Sequence, residues 1–139
     1  MIETGGKAQD QEAEENAVSL RLATGPLVGP VLCRVVSMVL ARADWPLNRL
    51  DDALLICDAI AAHAPAHARD GRLAFTVASN SHGVELHVEA LAKQGARGLI
   101  ADATLPGVGN VLEQMSHELR VVAGEDEPAE KLVLTLSRG

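Results

Sequence analysis

Residues 73–88 read LAFTVASNSHGVELHV. Leu73, Phe75 and Val77 alternate with smaller or more polar positions. Ser79-Asn80-Ser81-His82-Gly83 then supplies turn chemistry, and Val84, Leu86 and Val88 alternate again. A period of two places successive side chains on opposite faces of a strand, so this stretch is predicted to be a hairpin with one buried face. Such a face needs a second layer to cover it.

The covering segments lie upstream. Val28, Val31, Leu32, Val35 and Val39 recur at helical spacing and predict a helix to about Ala43. Thr24-Gly25-Pro26 opens it, with Pro26 near the first helical position, where its missing N–H does no harm. Asp44-Trp45-Pro46 breaks it. Asn48 is the expected cap of a second helix, with Asp51 near the positive end of its dipole. Leu50, Leu54, Cys57 and Ala61 are its expected buried stripe, and Pro65 its stop. Ahead of both helices, Val18, Leu20 and Leu22 alternate as a short strand.

Downstream of the hairpin, residues 90–106 contain Gly95 and Gly98 and read as a mobile loop with a turn of helix. Pro106-Gly107-Val108-Gly109 opens a helix through about His117. Leu119 to Val122, and Leu132, Leu134 and Leu136, form two last strands joined by the acidic turn GEDEPAE. The order is strand, two helices, two strands, loop, helix, two strands. It predicts an α+β protein, a two-layer α/β sandwich with a mixed, mostly antiparallel sheet and helices on one face.

Composition sets the limits around that fold. A chain of 139 residues has room for one domain, and 47% hydrophobic residues can fill a core. Aromatics are 1%, Trp45 and Phe75 alone, so the core is aliphatic and a base-stacking platform is excluded. A net charge of −7 gives a nucleic-acid backbone no reason to approach. Residues 1–16, MIETGGKAQDQEAEEN, hold four of those seven net charges with few apolar residues. They are expected to be a disordered acidic tail preceding a single domain at 17–139. The longest apolar candidate, Leu27 to Leu40, is interrupted by Gly29, Pro30 and Arg34 and falls short of the roughly 18 residues a membrane helix needs. The N-terminus is acidic, unlike a secretory signal. Two cysteines cannot build a disulfide framework, which fits a reducing compartment, the cytoplasm.

Three stretches are candidates for chemistry. The second helix reads LLICDAIAAHAPAHA over 54–68, with Asp58 followed one turn later by Ala62. The second hairpin strand runs into Val88-Glu89-Ala90-Leu91-Ala92-Lys93. Gly107-Val108-Gly109-Asn110-Val111-Leu112 leads into a helix that ends in Ser116-His117-Glu118. A glycine-rich turn before a helix offers free N–H groups to an anion.

In this order, with these turns, residues 17–137 resemble the Bergerat (GHKL) ATPase fold, the histidine-kinase-like ATPase domain. Within it they are most similar to the small anti-sigma-factor serine kinases of bacterial partner switches. In that family a Glu on the second helix is followed four residues later by an Asn that holds magnesium. Here the resemblance puts Asp58 at the acidic position and Ala62 at the Asn position, and alanine has no oxygen for a hard cation. The family's Asp-x-Gly-x-Gly after the hairpin reads adenine. Glu89 is the stand-in for its Asp, and both glycines are missing. The glycine-rich lid is kept as Gly107, Gly109 and Asn110.

The resemblance therefore implies a degenerate nucleotide pocket at Asp58, Ala62, Glu89, Gly107, Gly109 and Asn110. No catalytic residue, metal or cofactor is expected, and ATP is expected to bind weakly or not at all. The family's members dimerise, bind a sigma factor and are held by a STAS-type anti-anti-sigma protein. The resemblance thus implies a protein partner of one of those kinds, and a homodimer. The expected function is that of a regulatory binding protein, an anti-sigma-like component acting by sequestration. The alternatives are an active ATP-dependent serine/threonine kinase of the anti-sigma type and a small-ligand sensor reusing the pocket. With its nucleotide task gone, the 90–105 segment is expected to fold Leu99, Ile100 and Leu105 back into the pocket as a plug.

Other groupings carry less. His63 and His67 share helical spacing for zinc, but Pro65 between them disrupts it and leaves a solvated helix end. Cys33 and Cys57 sit at apolar positions of different helices and read as small hydrophobes. Asp51 and Asp58, on one helical face, read as a solvated face rather than a paired-carboxylate site. Arg21, Arg34, Arg42 and Arg49 are expected to cluster around the first strand and two helices as a candidate partner contact.

Overall fold

The computed structural model describes residues 16–81, 83–124 and 129–137. Strand β1 (Asn16–Ala23) is followed by helices α1 (Val28–Arg42) and α2 (Leu47–His63) and a 3-10 turn at Ala64–His67. The hairpin β2 (Arg72–Ser79) and β3 (Gly83–Leu91) comes next, then α3 (Gly95–Asp102). A two-residue ribbon, β4 (Thr104–Leu105) and β5 (Gly109–Asn110), leads into α4 (Val111–Met115), β6 (Glu118–Ala123) and β7 (Glu130–Ser137).

The main sheet runs β1-β2-β3-β7-β6, and every strand pairing among the described residues is antiparallel. Register puts Phe75 opposite Val88, Val77 opposite Leu86, and Leu86 opposite Leu134. The alternating apolar rows of three strands therefore share one face. Leu73, Phe75, Val77, Val84, Leu86, Val88, Leu132, Leu134 and Leu136 are at most 2% exposed. They pack with Val28, Leu32, Val36, Val39 and Leu40 of α1 and Ile56, Cys57 and Ile60 of α2 in one core. Each such side chain contributes roughly 1.5–3 kcal/mol on burial. The result is an α+β, two-layer molecule with a helix layer over one face of an antiparallel sheet.

Two local devices fix the layers. Asn80 Oδ1 accepts the Gly83 N–H at 3.1 Å and closes the hairpin turn, while Gly83 passes so close to the Leu136 carbonyl that a side chain would not fit. In the helix layer, a methyl added at Gly29 would lie 3.3 Å from the Ala61 Cβ, so α1 and α2 approach closely there.

The structure departs from the sequence reading in four places. The cap of α2 is Pro46, at φ −59° and ψ 146°, so the helix starts at Leu47 and Asn48 lies inside it. Its deeply buried stripe is Ala53, Ile56, Cys57 and Ile60, because Ala61 is turned toward Gly29 of α1 rather than toward the sheet. The 90–106 segment is not an irregular loop: it holds α3, whose Leu99 and Ala96 are fully buried. The glycine stretch 107–109 forms the ribbon turn rather than a helix, and α4 runs only from Val111 to Met115. The expected acidic tail lies outside the described residues, except that Asn16 opens β1. Of the acidic turn, residues 125–128 also lie outside them. No described helix is long and apolar enough to cross a membrane.

Candidate functional site

Asp58 sits on the exposed side of α2, one residue after the fully buried Cys57. The Cys33 thiol of α1 reaches across the helix seam and donates to Asp58 Oδ1 at 3.6 Å. Burial, followed by the charge of Asp58, holds the Cys33 thiol above its ordinary pKa. Burial, followed by Cys33, pushes the Cys57 thiol far higher still. Both cysteines therefore stay protonated at neutral pH and pack as small weakly polar groups, because the thiolate is the reactive form. One turn beyond Asp58, Ala62 is exposed and offers only a methyl.

Glu89 does not join them. On β3 the helix-facing row is Val84, Leu86 and Val88, so Glu89, paired with Ala74, points from the opposite face of the sheet. There it accepts a hydrogen bond from Thr76 Oγ1 at 3.3 Å and lies 4.0 Å from His87 Nδ1. The sheet separates Glu89 from Asp58.

The glycine turn is closed on itself. Gly107 and Gly109 hold φ of +79° and +98°, and the Gln114 side chain fills the space beside Gly109 while its amide donates to the Val108 carbonyl at 2.5 Å. Asn110 caps α4, accepting the Glu113 N–H at 3.0 Å, and its amide nitrogen donates to the Ile100 carbonyl at 2.6 Å and to Thr104 Oγ1 at 3.1 Å. The six residues assigned to a nucleotide pocket thus lie in three places: the outside of α2, the far face of the sheet, and a self-satisfied ribbon turn. They do not fit magnesium-ATP. Position 62 has no oxygen donor, the carboxylate meant for adenine is on the wrong side, and the Asn110 amide is fully engaged.

The segment around α3 is fastened at both ends. Gln94 adopts a left-handed conformation, φ +62°, and turns the chain into α3. Glu130 of β7 accepts the Ala96 N–H at 3.1 Å and so supplies the missing helix cap. At the other end His67 Nε2 contacts Asp102 Oδ2 at 2.7 Å, and the His67 ring occupies the space over Gly98. The His67 carbonyl accepts the Ala92 N–H at 2.9 Å. His67 is thus a clamp on α3 rather than one of a pair with His63. Among the described residues no group of His, Cys, Asp and Glu is arranged to hold a metal. Leu99 is fully buried and Ile100 packs against the core, but Leu105 stays 47% exposed, so two of the three expected residues fold inward.

The four arginines do not form one patch. Arg49 is tied to Asp52 at 3.1 Å and to the Ser137 carbonyl at 2.8 and 3.1 Å. Arg34 and Arg42 are exposed on α1. Arg21 is on the other side of the molecule, where the open face of the sheet carries a groove of about 350 Å³. Arg21, Arg69, Arg72 and Lys131 line it together with Glu89 and Glu130. Sequence reasoning missed this set because its members come from β1, the turn before β2, β2 itself and β7. Strand parity was the available signal, since Arg21 is out of step with Leu20 and Leu22.

No known family model and no curated protein matches this chain.

Proposed function

We propose that this chain is a regulatory protein-binding module of the anti-sigma kind. It sequesters a sigma factor or a STAS-type antagonist in the cytoplasm, on an ATPase-like scaffold whose nucleotide pocket has lost its chemistry. The order of elements supports the scaffold: a strand, two helices, a hairpin, a lid-like segment and a final pair of strands, in two layers. The observation that carries the reading is the dispersal of Asp58, Ala62, Glu89 and the Gly107–Asn110 turn, while the core beneath them is fully packed. A fold that keeps its core and loses its site chemistry retains surfaces, and surfaces bind.

The test is capture of partners from native lysate on the tagged full-length chain, followed by incubation of the captured complex with radiolabelled ATP. The expected outcome is a sigma factor or a STAS-domain protein identified by mass spectrometry, with no label on it. Capture of neither class would overturn the reading. Transfer of label to a serine of the captured protein would replace it with the kinase reading.

A further inference from the structure

The outer side of the helix layer, turned away from the sheet, divides its charges between two helices. Helix α1 has Arg34 and Arg42 and no acidic residue, whereas α2 has Asp51, Asp52 and Asp58 and, as its one arginine, Arg49. Arg49 is taken up by Asp52. Arg34, Arg42, Asp51 and Asp58 enter no ion pair among the described residues. The solvent side of α1 is thus basic and that of α2 acidic. Apolar side chains lie among these charges. Seven large hydrophobic residues are exposed among the described ones, and four of them, Leu27, Met38, Leu47 and Leu55, belong to this layer at 48–75% exposure.

Helical spacing puts these residues in two stripes. Leu27, Arg34 and Met38 follow one another by seven and four residues on α1, and Leu47, Asp51, Leu55 and Asp58 by four, four and three on α2. Both stripes lie opposite the residues that enter the core, such as Val36 and Val39 on α1 and Ile56 and Ile60 on α2. Gly29 lies against Ala61 and Cys33 against Asp58, so the helices are antiparallel and their register is fixed. Arg34 therefore stands at nearly the height of Asp58 along the helix axes.

We propose that this face pairs with the same face of a second copy, about a twofold axis that runs along the helices. Such a rotation lays α1 of one copy over α2 of the other and keeps every residue at its own height. The register between copies then repeats the register within the chain. Arg34 of each copy meets Asp58 of the other, twice by symmetry, and Met38 arrives beside Leu55. A twofold axis across the helices would instead lay α1 on α1 and α2 on α2, setting like charges face to face at a cost. The charge pattern thus selects one of the two arrangements. A different protein would have to present the same two stripes in matching order, whereas a second copy presents them by construction. The net charge of −7 per chain opposes association at long range, but salt screens it beyond about 8–10 Å and leaves the facing pairs to decide. This pairing is independent of which protein the chain sequesters.

Sedimentation velocity of the full-length chain is expected to show a particle of twice the 14.6 kDa chain mass. Arg34→Asp and Asp58→Arg are each expected to be monomeric, because each sets like charges together at two places. An equimolar mixture of the two variants is expected to recover the doubled mass, since each supplies the charge that the other lacks. Recovery also shows that both variants fold. Arg34→Gln and Asp58→Asn keep size without charge and are each expected to weaken association by roughly tenfold or more, which decides the matter if a reversed variant does not fold. A full-length chain that stays monomeric, a dimer that persists in all four variants, or two folded reversed variants that do not associate when mixed would each overturn the proposal. So would a complex with a different protein that these variants abolish while the chain alone stays monomeric.

Discussion

Gly98 shows how much one hydrogen atom can decide. The His67 ring occupies the place a Cβ would take, and Asp102 holds that ring from the next turn of α3. Two effects compete in Gly98→Ala. Better helix propensity favours alanine by up to about 1 kcal/mol, while overpacking against the ring costs about 1–3 kcal/mol. The clash is expected to win, so Gly98→Ala lowers unfolding stability in urea, and in a His67→Ala background the same change raises it. An unchanged sign in the two backgrounds would show that His67 does not seat on Gly98. Individual side chains were legible in the sequence where identity alone settles the chemistry. Ala62 cannot ligate a cation however the chain folds. The position of Glu89 was misassigned to a shared pocket, although the buried parity of Val84, Leu86 and Val88 sends it outward. The pairing of His67 with Asp102 was not legible, because their 35-residue separation carries no local signature.

Elements whose stability comes from their own periodicity could be read directly. The hairpin, α1 and β7 each carry an unbroken apolar row, and each forms close to where that row lies. α3 could not be read this way. Two of its eight residues are glycines, which lower helix propensity by about 1 kcal/mol each relative to alanine. Its stability comes from Glu130, His67 and the core contact of Leu99, all supplied by other parts of the chain. A consequence is measurable by hydrogen exchange without any ligand. Amides from Gly98 to Ala103, which donate to carbonyls such as Gln94 and Ile100, are expected to exchange as slowly as those in the middle of α2. Exchange at the rate of a free peptide would mean that the segment is open and that Glu130 and His67 do not hold it.

Taken whole, the molecule is a helix layer and an aliphatic core on one side of a sheet whose other side carries charged residues of both signs at one end. This division follows from strand parity, because the residues that build the core cannot also build the open face. It also places Asp58 and Ala62 on the helix side of the molecule and Glu89 across the sheet from them. The central claim is that Asp58, Ala62, Glu89 and the Gly107–Asn110 turn, held apart in the fold, make no site for a nucleotide. Calorimetric titration of the full-length chain with Mg-ATP tests it most directly. The account predicts no saturable heat up to millimolar nucleotide, whereas saturable binding at low-micromolar affinity would contradict it.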